Sequence, residues 1–525
     1  MHYLQPDSPS RGARWVWGVI PLLVALLHVP ATAIGAAPAT VPELYAPVLP
    51  AERAAVIAAI DGQIDAYTIR ARLDPATSTI GGELEVTFVN QTVRPLTEVY
   101  FRLYPNADYY DEGGLRIEAA TVAGKPVEAE LQVGETALRV PLGQVLPPGA
   151  AIALELAFST VIPVDSTGSF GILNHASAEE TWVLADWYPI VAGFEQDIGW
   201  YLGPPTGQGD PTFAATAHYD VTITAPASLQ VIASGSAAGE AAVEAGGAVT
   251  QRYLTGPARE FAAIAGDDFV AISGEVNGTT VNSYAIPGGE AAAGLALATA
   301  IEALTRYSAW FGAYPFAELD LAQTPLAGAL GLSWTGLIYL DASRFQGETG
   351  AIDVTQLELM DFIVAHEVGH QWWGGSVGSN SNDHTFLVEG LTNYLSVVYV
   401  EEVNGAARGN ASRDAMLVGP YLNLLGRGVD KVVDGPAAPD QDSAIQSVIV
   451  YSKGALGFLA IRQTIGDDAF FAALASYADT HAFRVTSPND LQDAFETASG
   501  TDLDELWRVW FESAETTPDD VAALL

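Results

Sequence analysis

The chain has 525 residues, 49% of them hydrophobic and 10% aromatic, and its 63 Asp and Glu outnumber its 22 Lys and Arg, which gives a formal net charge of −41. Half of the residues are apolar and can form a sizeable core, so a mainly disordered chain is excluded. The scarcity of Lys and Arg argues against nucleic-acid binding, and the absence of Cys excludes disulfides, thiolate metal ligands and a cysteine nucleophile.

The N-terminus has the pattern of a secretory signal peptide, which we predict over residues 1–36. Two arginines precede an apolar run from Trp15 to Val29, and the small residues that follow offer a cleavage site after Ala33 or Ala36. A membrane-spanning helix needs about 20 apolar residues, and Pro21 interrupts this run. We therefore predict an exported protein, extracellular or in the cell envelope, without stable membrane insertion after cleavage. An uncleaved anchor is the alternative.

After this segment the composition predicts a linker and then a β-rich domain. Residues 37–62 are assigned to the linker because residues 37–50 are rich in Ala and Pro. Residues 63–272 contain short stretches of alternating polar and apolar residues between Gly and Pro turns, for example 83–89, 152–158 and 219–224, which are typical of antiparallel strands. Residues 235–249, rich in Gly, Ala and Glu, are expected to form an exposed hairpin end or loop.

From about residue 275 onward the pattern changes to helices and a small sheet. Apolar residues at helical spacing predict helices over 291–311, 354–372, 387–403, 451–465, 467–481 and 488–498, and strands are predicted over 319–323 and 336–340. The fold class is therefore multidomain α+β. An N-terminal antiparallel β-rich domain over 63–272 precedes a catalytic domain over 273–525, which ends in a helical C-terminal segment.

The chemistry of the second half centres on the run from His366 to His370, which has the pattern His-Glu-x-x-His. Residues four apart on a helix share one face, so both imidazoles can bind the same metal ion. Glu367 can take a proton from a water bound to zinc, because zinc lowers the pKa of that water to roughly 7. Two surface histidines on an amphipathic helix are the alternative interpretation.

Zinc needs a third protein ligand, and Glu389 offers one. Eighteen residues separate His370 from Glu389, enough to end one helix, turn, and begin an antiparallel one. Two His and one Glu with an open fourth position are a typical set of ligands for catalytic zinc. We therefore predict one Zn²⁺ per chain, bound by His366, His370 and Glu389.

This spacing resembles the zinc site of the M1 family of metallopeptidases. Residues 370–374 (His-Gln-Trp-Trp-Gly) resemble the family's HQW-aromatic-G run, and residues 383–390 (Asp-His-Thr-Phe-Leu-Val-Glu-Gly) resemble its D-x-x-W-L-N-E-G segment. Residues 451–454 (Tyr-Ser-Lys-Gly) are similar to its Y-x-K-G run, whose tyrosine hydrogen-bonds the developing oxyanion. The resemblance implies a thermolysin-like catalytic domain, peptide substrates, and catalytic roles for Glu367 and Tyr451.

One motif departs from the family pattern. Family aminopeptidases carry a G-x-M-E-N type motif whose glutamate pairs with the free α-amino group of the substrate. Here the corresponding stretch is 331–339, and Ser333 falls at the position of that glutamate. Gly331 and Ser333 are candidates for contact with the substrate, but serine brings no charge.

Three explanations of this departure remain open. Another carboxylate substitutes, with Glu179, Glu180 and Asp186 as candidates; the enzyme accepts blocked N-termini or cuts internally; or the alignment slips. Asp383 also has two interpretations. It either accepts a hydrogen bond from a metal-binding imidazole or caps a helix that begins at Thr385.

The sequence thus predicts a secreted zinc peptidase of M1 type that hydrolyses peptide bonds with a zinc-bound water activated by Glu367, and we expect an aminopeptidase. A metallopeptidase with altered specificity, because of Ser333, is the first alternative. A non-catalytic scaffold module is the second, although such proteins typically lose a metal ligand or the base, and here all are present. The sequence predicts neither the oligomeric state nor the preferred side chain at the cleaved residue.

Overall fold

The computed structural model describes residues 40–60, 62–110, 112–207, 212–345, 354–436 and 442–525, and for residues 354–358 the backbone alone. The signal peptide predicted over residues 1–36 lies outside these ranges. Within them, β-sheets dominate up to about residue 285, and helices dominate afterwards. This arrangement confirms the predicted fold class.

A nine-stranded sheet is the largest element of the N-terminal half. All of its pairings are antiparallel except that between Asp65–Asp74 and Ala217–Pro226, which is parallel. The stretches predicted from alternation, 83–89, 152–158 and 219–224, lie inside three of its strands. In spatial order the strands are Ser236–Ala237, Ala248–Ala258, Ala217–Pro226, Asp65–Asp74, Thr79–Val89, Ala151–Val161, Gly114–Val122 and Lys125–Pro126, with Ala242–Val243 paired to Ala248–Ala258.

Three smaller sheets complete the β-rich half. Their inner faces share one apolar core with the large sheet, in which Val86, Phe101 and Leu154 are almost fully buried. One sheet contains Gln230–Ala233, Ala263–Gly266, Thr181–Leu184 and Leu173–Ala176; the second contains Ile190–Val191, Leu96–Arg102, Ala137–Leu146 and Glu130–Gln132; the third is a hairpin of Phe194–Glu195 and Gly199–Trp200.

A five-stranded sheet opens the second half. Its order is Val270–Val276, Thr279–Ala285, Glu318–Thr324, Leu337–Asp341 and Gly331–Trp334. Both predicted strands, 319–323 and 336–340, are present. The last strand, Gly331–Trp334, is antiparallel to its neighbour and lies at the edge of the sheet, so we call it the edge strand.

The predicted helices are all present, with some ends moved. The helix that carries the His-Glu-x-x-His run spans Val354–Gly369 and is called the motif helix; it stops three residues earlier than predicted. The helix that begins with Glu389 spans Glu389–Asn404 and is called the Glu389 helix. The other helices are Glu290–Phe311, Ala406–Arg413, Gly419–Gly426, Ser443–Ser447, Ala455–Ile465, Asp467–Thr480, Pro488–Ser499, Asp504–Trp507 and Pro518–Ala522, and π-helical turns cover Asp414–Val418, Val448–Gly454 and Arg508–Glu512.

The helix formed by the continuous segment Ser443–Ile465 is long and apolar enough to cross a membrane, but most of its apolar window is buried inside the protein. It packs in the core of the helical half, where Leu456, Phe458 and Ile461 have no exposed surface. Its apolar character is therefore explained by burial against neighbouring helices.

The linker predicted over 37–62 is not an extended segment, which corrects the prediction for residues 41–60. They contain two helices, Val41–Leu44 and Arg53–Ile60. Between them, Val48 is fully buried, and it forms a β-bridge with Phe316. Composition alone did not predict this structure, because Ala and Pro outnumber the few larger apolar side chains that anchor the segment.

Asp65, at the start of its strand, is a buried carboxyl group. It is 3% exposed, and its Oδ1 accepts a hydrogen bond from the Val89 amide at 2.8 Å. Burial raises the pKa of Asp65 to about 7, from an ordinary value of 3.8, and the Val89 hydrogen bond only partly offsets the effect.

We predict that Asp65→Asn changes the pH dependence of stability. The folded form binds the Asp65 proton more tightly than the unfolded chain does, so Asp65 destabilises the fold increasingly as the pH rises from about 4 to 7. The variant should gain about 2–4 kcal/mol relative to wild type between pH 4 and pH 8. Urea titrations at several pH values measure this gain, with Asp74→Asn at the exposed end of the strand as control. A difference between Asp65→Asn and wild type that stays constant with pH would contradict the prediction.

Candidate metal centre

Three side chains converge at the junction of the motif helix and the Glu389 helix. His366 Nε2 lies 3.0 Å from His370 Nε2 and 3.1 Å from Glu389 Oε2, and His370 Nε2 lies 3.4 Å from Glu389 Oε2. The helical spacing brings the two imidazoles together, and Glu389 is the first residue of the next long helix. The structure therefore brings together the three ligands that the sequence predicts.

These distances fit a tetrahedral zinc ion. Two ligand atoms at about 2.05 Å from a tetrahedral centre lie about 3.3 Å apart, and the three observed separations, 3.0, 3.1 and 3.4 Å, surround that value. Two imidazoles and one carboxylate leave a fourth position for a water or a substrate. His366, His370 and Glu389 are thus able to hold one zinc ion.

A close contact between the two helices makes this convergence possible. A Cβ atom at Gly369 would lie 2.7 Å from Thr392 Cγ2, which is closer than real side chains approach. Thr392 has no exposed surface, and its hydroxyl donates to the Val388 carbonyl. Glycine at 369 therefore allows the Glu389 helix to pack directly on the end of the motif helix.

The three ligand side chains are largely buried, and the charges of Glu389 and the histidines shift one another's pKa values. Burial lowers the pKa of His370, but Glu389 more than offsets this and raises it to about 9. Burial disfavours ionised Glu389, yet His370 and His366 hold its pKa well below the ordinary value. Without a metal, the site therefore favours a negative Glu389 beside a proton on His370. A metal cation replaces such a proton when it binds.

Glu367 lies on the same turn of the motif helix and faces the edge strand. It is 4% exposed, and its Oε2 has no hydrogen-bond partner among the described residues. Without a metal ion, burial raises its pKa to about 8, and a metal cation held by the three ligands would favour its ionised form. A Cβ atom at Gly331 would lie 2.5 Å from Glu367 Oε1, so the backbone of the edge strand runs directly against this carboxylate.

Tyr451 lies near the ligand cluster, within the π-helical turn Val448–Gly454. Its ring centroid is 6.1 Å from that of His366, and its carbonyl accepts a hydrogen bond from Asn393 Nδ2 at 2.6 Å. π-helical turns are frequent at functional sites. Here the turn presents Tyr451 to the ligand cluster while the Glu389 helix supports its backbone through Asn393.

A buried lysine fixes the same turn from behind. Lys453 has no exposed surface, and its ammonium group donates to both carboxylate oxygens of Asp430, at 2.9 and 3.0 Å. It also donates to the carbonyls of Lys431 and Ser513. Residues 451–454 were predicted for their tyrosine alone. The lysine of that run was missed as an anchor because its partners are distant in sequence.

Ser333 holds the edge strand to the end of the motif helix. Gln371 Nε2 donates to Ser333 Oγ at 2.7 Å and to the Trp334 carbonyl at 3.0 Å, and Gln371 Oε1 accepts from the Gly336 amide at 2.9 Å. The Ser333 hydroxyl therefore already accepts a hydrogen bond from the protein. Gln371 belongs to the motif that resembles the family, but the sequence did not assign it this contact.

Part of the chain matches a known protein family. Residues 295–510 match the model of the Peptidase family M1 domain. This matched region contains the motif helix, the Glu389 helix and Tyr451. It is 27% identical over 240 residues to Aminopeptidase M1-B of Oryza sativa subsp. japonica, covering 45% of this chain and 27% of that protein. It is 30% identical over 217 residues to Aminopeptidase N of Lactobacillus helveticus, covering 38% and 24%. The chain thus spans about a quarter of the length of these curated relatives.

Solved structures extend the likeness to most of the fold. The M1 zinc metallopeptidase from Deinococcus radiodurans matches with a TM-score of 0.59 and 21% identity, covering 87% of this chain and 94% of that one. A mutant of that enzyme bound to a Tyr-Ser-Ala substrate matches with a TM-score of 0.60 and 22% identity, covering 87% and 95%. At this level of identity the likeness concerns the fold.

The predicted roles of Asp383 are wrong. Its carboxylate accepts hydrogen bonds from Tyr201 Oη at 3.3 Å and from Asn380 Nδ2 at 2.8 Å. The imidazole proton of His370 goes instead to the Trp373 carbonyl at 3.0 Å. Asp383 does not cap a helix either, since the short 3₁₀ helix Thr385–Leu387 has His384 at its N-cap position and no side-chain cap hydrogen bond. It connects the helical half to Tyr201 of the β-rich half.

The three carboxylates predicted as substitutes at the Ser333 position differ in their surroundings. Glu179 and Glu180 are exposed, and Glu180 lies 3.9 Å from His175. Asp186 is 3% exposed and accepts a hydrogen bond from Thr212 at 3.0 Å. Glu260 also contacts the edge strand, where its Oε2 accepts a hydrogen bond from the Trp334 indole at 3.2 Å, but the side chain of Trp334 points to the face opposite to that of Ser333.

We predict that Gly331→Ala lowers peptide turnover by this protein about 100-fold without removing its metal. The added Cβ would displace Glu367, and misplacing a reacting group by about 1 Å costs roughly 100-fold in rate. Peptide turnover and zinc content should be measured together. Gly294→Ala is the control because its Cβ would meet no atom within 4 Å. Full activity of Gly331→Ala would show that Glu367 does not depend on this contact.

Proposed function

We propose that the chain is an exported zinc-dependent peptidase of M1 type that acts as an aminopeptidase. The observation that carries the proposal is the cluster of His366, His370 and Glu389, which has Glu367 beside it on the motif helix and the Tyr451 ring 6.1 Å from that of His366. The names of its relatives, which are aminopeptidases, support the proposed substrate class. The N-terminal pattern of residues 1–36 supports export.

The ligand residues prepare the site for acid–base chemistry. Zinc bound by His366, His370 and Glu389 would polarise a carbonyl group and lower the pKa of a water molecule. Glu367 accepts the proton of the attacking water at its carboxylate and later donates it to the leaving amine. Its burial beside Gly331 excludes bulk water from this carboxylate, so the proton stays available for the second transfer.

Tyr451 stabilises the charge that develops on the substrate oxygen. A phenol donates a hydrogen bond without needing to carry a charge. The buried ion pair of Lys453 with Asp430 fixes the turn on which Tyr451 lies, and Asn393 binds its carbonyl. The donor is thus held in place before the reaction begins, which is what makes such a group effective.

The recognition of a free amino group requires a carboxylate that Ser333 does not provide. Glu260 contacts the edge strand through the side chain of Trp334, the residue next to Ser333. Successive side chains of a strand point to opposite faces, so Glu260 does not replace the carboxylate that is missing at Ser333. A peptidase without this requirement is the alternative, which the engaged Ser333 hydroxyl favours.

We predict that the protein removes single residues from free peptides. One peptide pool is offered in free and N-acetylated form to the zinc-loaded protein and to Glu367→Gln, and the products are identified by mass spectrometry. Free peptides should shorten stepwise, acetylated ones should persist, and Glu367→Gln should retain zinc without turnover because it cannot accept the proton.

Three results would contradict this proposal in different ways. Cleavage of acetylated peptides would favour the altered specificity. Turnover by Glu367→Gln at the wild-type rate would refute the mechanism. Zinc-loaded protein that cleaves no peptide would favour a scaffold function.

A further inference from the structure

Arg259 connects the β-rich half to the metal centre. It directly follows the strand Ala248–Ala258 and is 9% exposed, although its side chain carries a full charge. Its guanidinium group donates to backbone carbonyls of three separate segments. The acceptors are Gly374 (2.8 Å), Gly375 (3.1 Å), Ser376 (3.2 Å), Arg484 (2.8 Å) and Ala214 (3.3 Å).

Three of these carbonyls belong to the loop that leaves the motif helix, residues 371–378, which we call the exit loop. The exit loop folds back on the helix, since the Gly375 amide donates to the His370 carbonyl at 2.9 Å and the Gly374 amide to the Val377 carbonyl at 2.8 Å. It also contains Trp373, whose carbonyl accepts the His370 Nδ1 proton. The carbonyl that orients His370 is therefore next in sequence to the carbonyl that binds Arg259 Nε.

The exit loop and the guanidinium group fit each other closely. A Cβ atom at Gly378 would lie 2.1 Å from Arg259 Cζ, so only glycine leaves room for the guanidinium group at this point. Gly378 pairs with Val485, the residue after Arg484, whose carbonyl is another acceptor of Arg259. Gly378–Ser379 and Val485–Thr486 form a two-stranded sheet. The Arg259 side chain thus joins this sheet to the exit loop.

We infer that Arg259 is a positioning residue for the zinc site. It fixes the exit loop, the exit loop fixes the Trp373 carbonyl, and that carbonyl fixes the orientation of the His370 imidazole. Residues that orient metal-binding imidazoles contribute about 10- to 100-fold to metal affinity, and charged donors form stronger hydrogen bonds than neutral ones. Docking of the β-rich half therefore contributes to zinc retention by the other half.

The inference rests on the proposed zinc site but not on peptide hydrolysis, so its test measures metal retention. Zinc-loaded full-length wild type, Arg259→Met, Arg259→Lys and Arg252→Met are transferred into excess chelator, and zinc release is followed at a temperature where circular dichroism shows each to be folded. Arg252 is the matched control because it lies within the strand Ala248–Ala258 that Arg259 follows and pairs with Asp220 instead of with the exit loop.

Arg259→Met should release zinc about tenfold faster than wild type, Arg259→Lys should be intermediate, and Arg252→Met should match wild type. The absorption spectrum of the cobalt-substituted Arg259→Met protein should also change, because the orientation of a ligand changes. A purely structural role would lower the melting temperature without altering the spectrum or the release rate.

A second variant disturbs the same contact by changing Gly378 instead of Arg259. Gly378→Ala keeps Arg259 but displaces its guanidinium group, so it should also release zinc faster, and it serves as the test where Arg259→Met does not fold. Wild-type release and an unchanged cobalt spectrum in the folded variants would overturn the inference. Failure of wild type itself to bind zinc would instead refute the proposed site.

Discussion

Three side-chain atoms from two helices must lie at the corners of one small triangle, and this constraint determines much of the second half of the molecule. The observed edges of 3.0, 3.1 and 3.4 Å require the Glu389 helix to begin directly beside the end of the motif helix. Gly369 makes this approach possible because any larger residue would collide with Thr392. The early end of the motif helix and the tight exit loop that follows are part of the same arrangement.

Polar side chains that are buried but hydrogen-bonded surround these three ligand atoms. Gln371 joins the edge strand to the end of the motif helix, Lys453 anchors the turn of Tyr451, and Arg259 binds the exit loop. Buried polar groups of this kind destabilise a fold unless their partners are well placed. Here their partners are backbone groups, a serine hydroxyl and a carboxylate near the reacting groups, which makes the site rigid before a substrate arrives.

Local patterns were predicted well from the sequence, and long-range partners were not. His366 and His370 are four residues apart on a helix, so their convergence follows from helical geometry alone. Glu389 followed from its spacing, and the alternating strands followed from their period of two. Asp383 was assigned wrongly because its partner Tyr201 is 182 residues away. Arg259 was missed because four of its five acceptors are more than 100 residues away.

X-ray diffraction from crystals of the zinc-loaded protein, recorded on both sides of the zinc absorption edge, tests the central claim most directly. The account predicts one anomalous peak per chain at about 2.0–2.2 Å from His366 Nε2, His370 Nε2 and a Glu389 carboxylate oxygen. A peak at another site, such as the exposed acidic group of Glu496, Asp502 and Asp504, with none at the three predicted ligands, would contradict it.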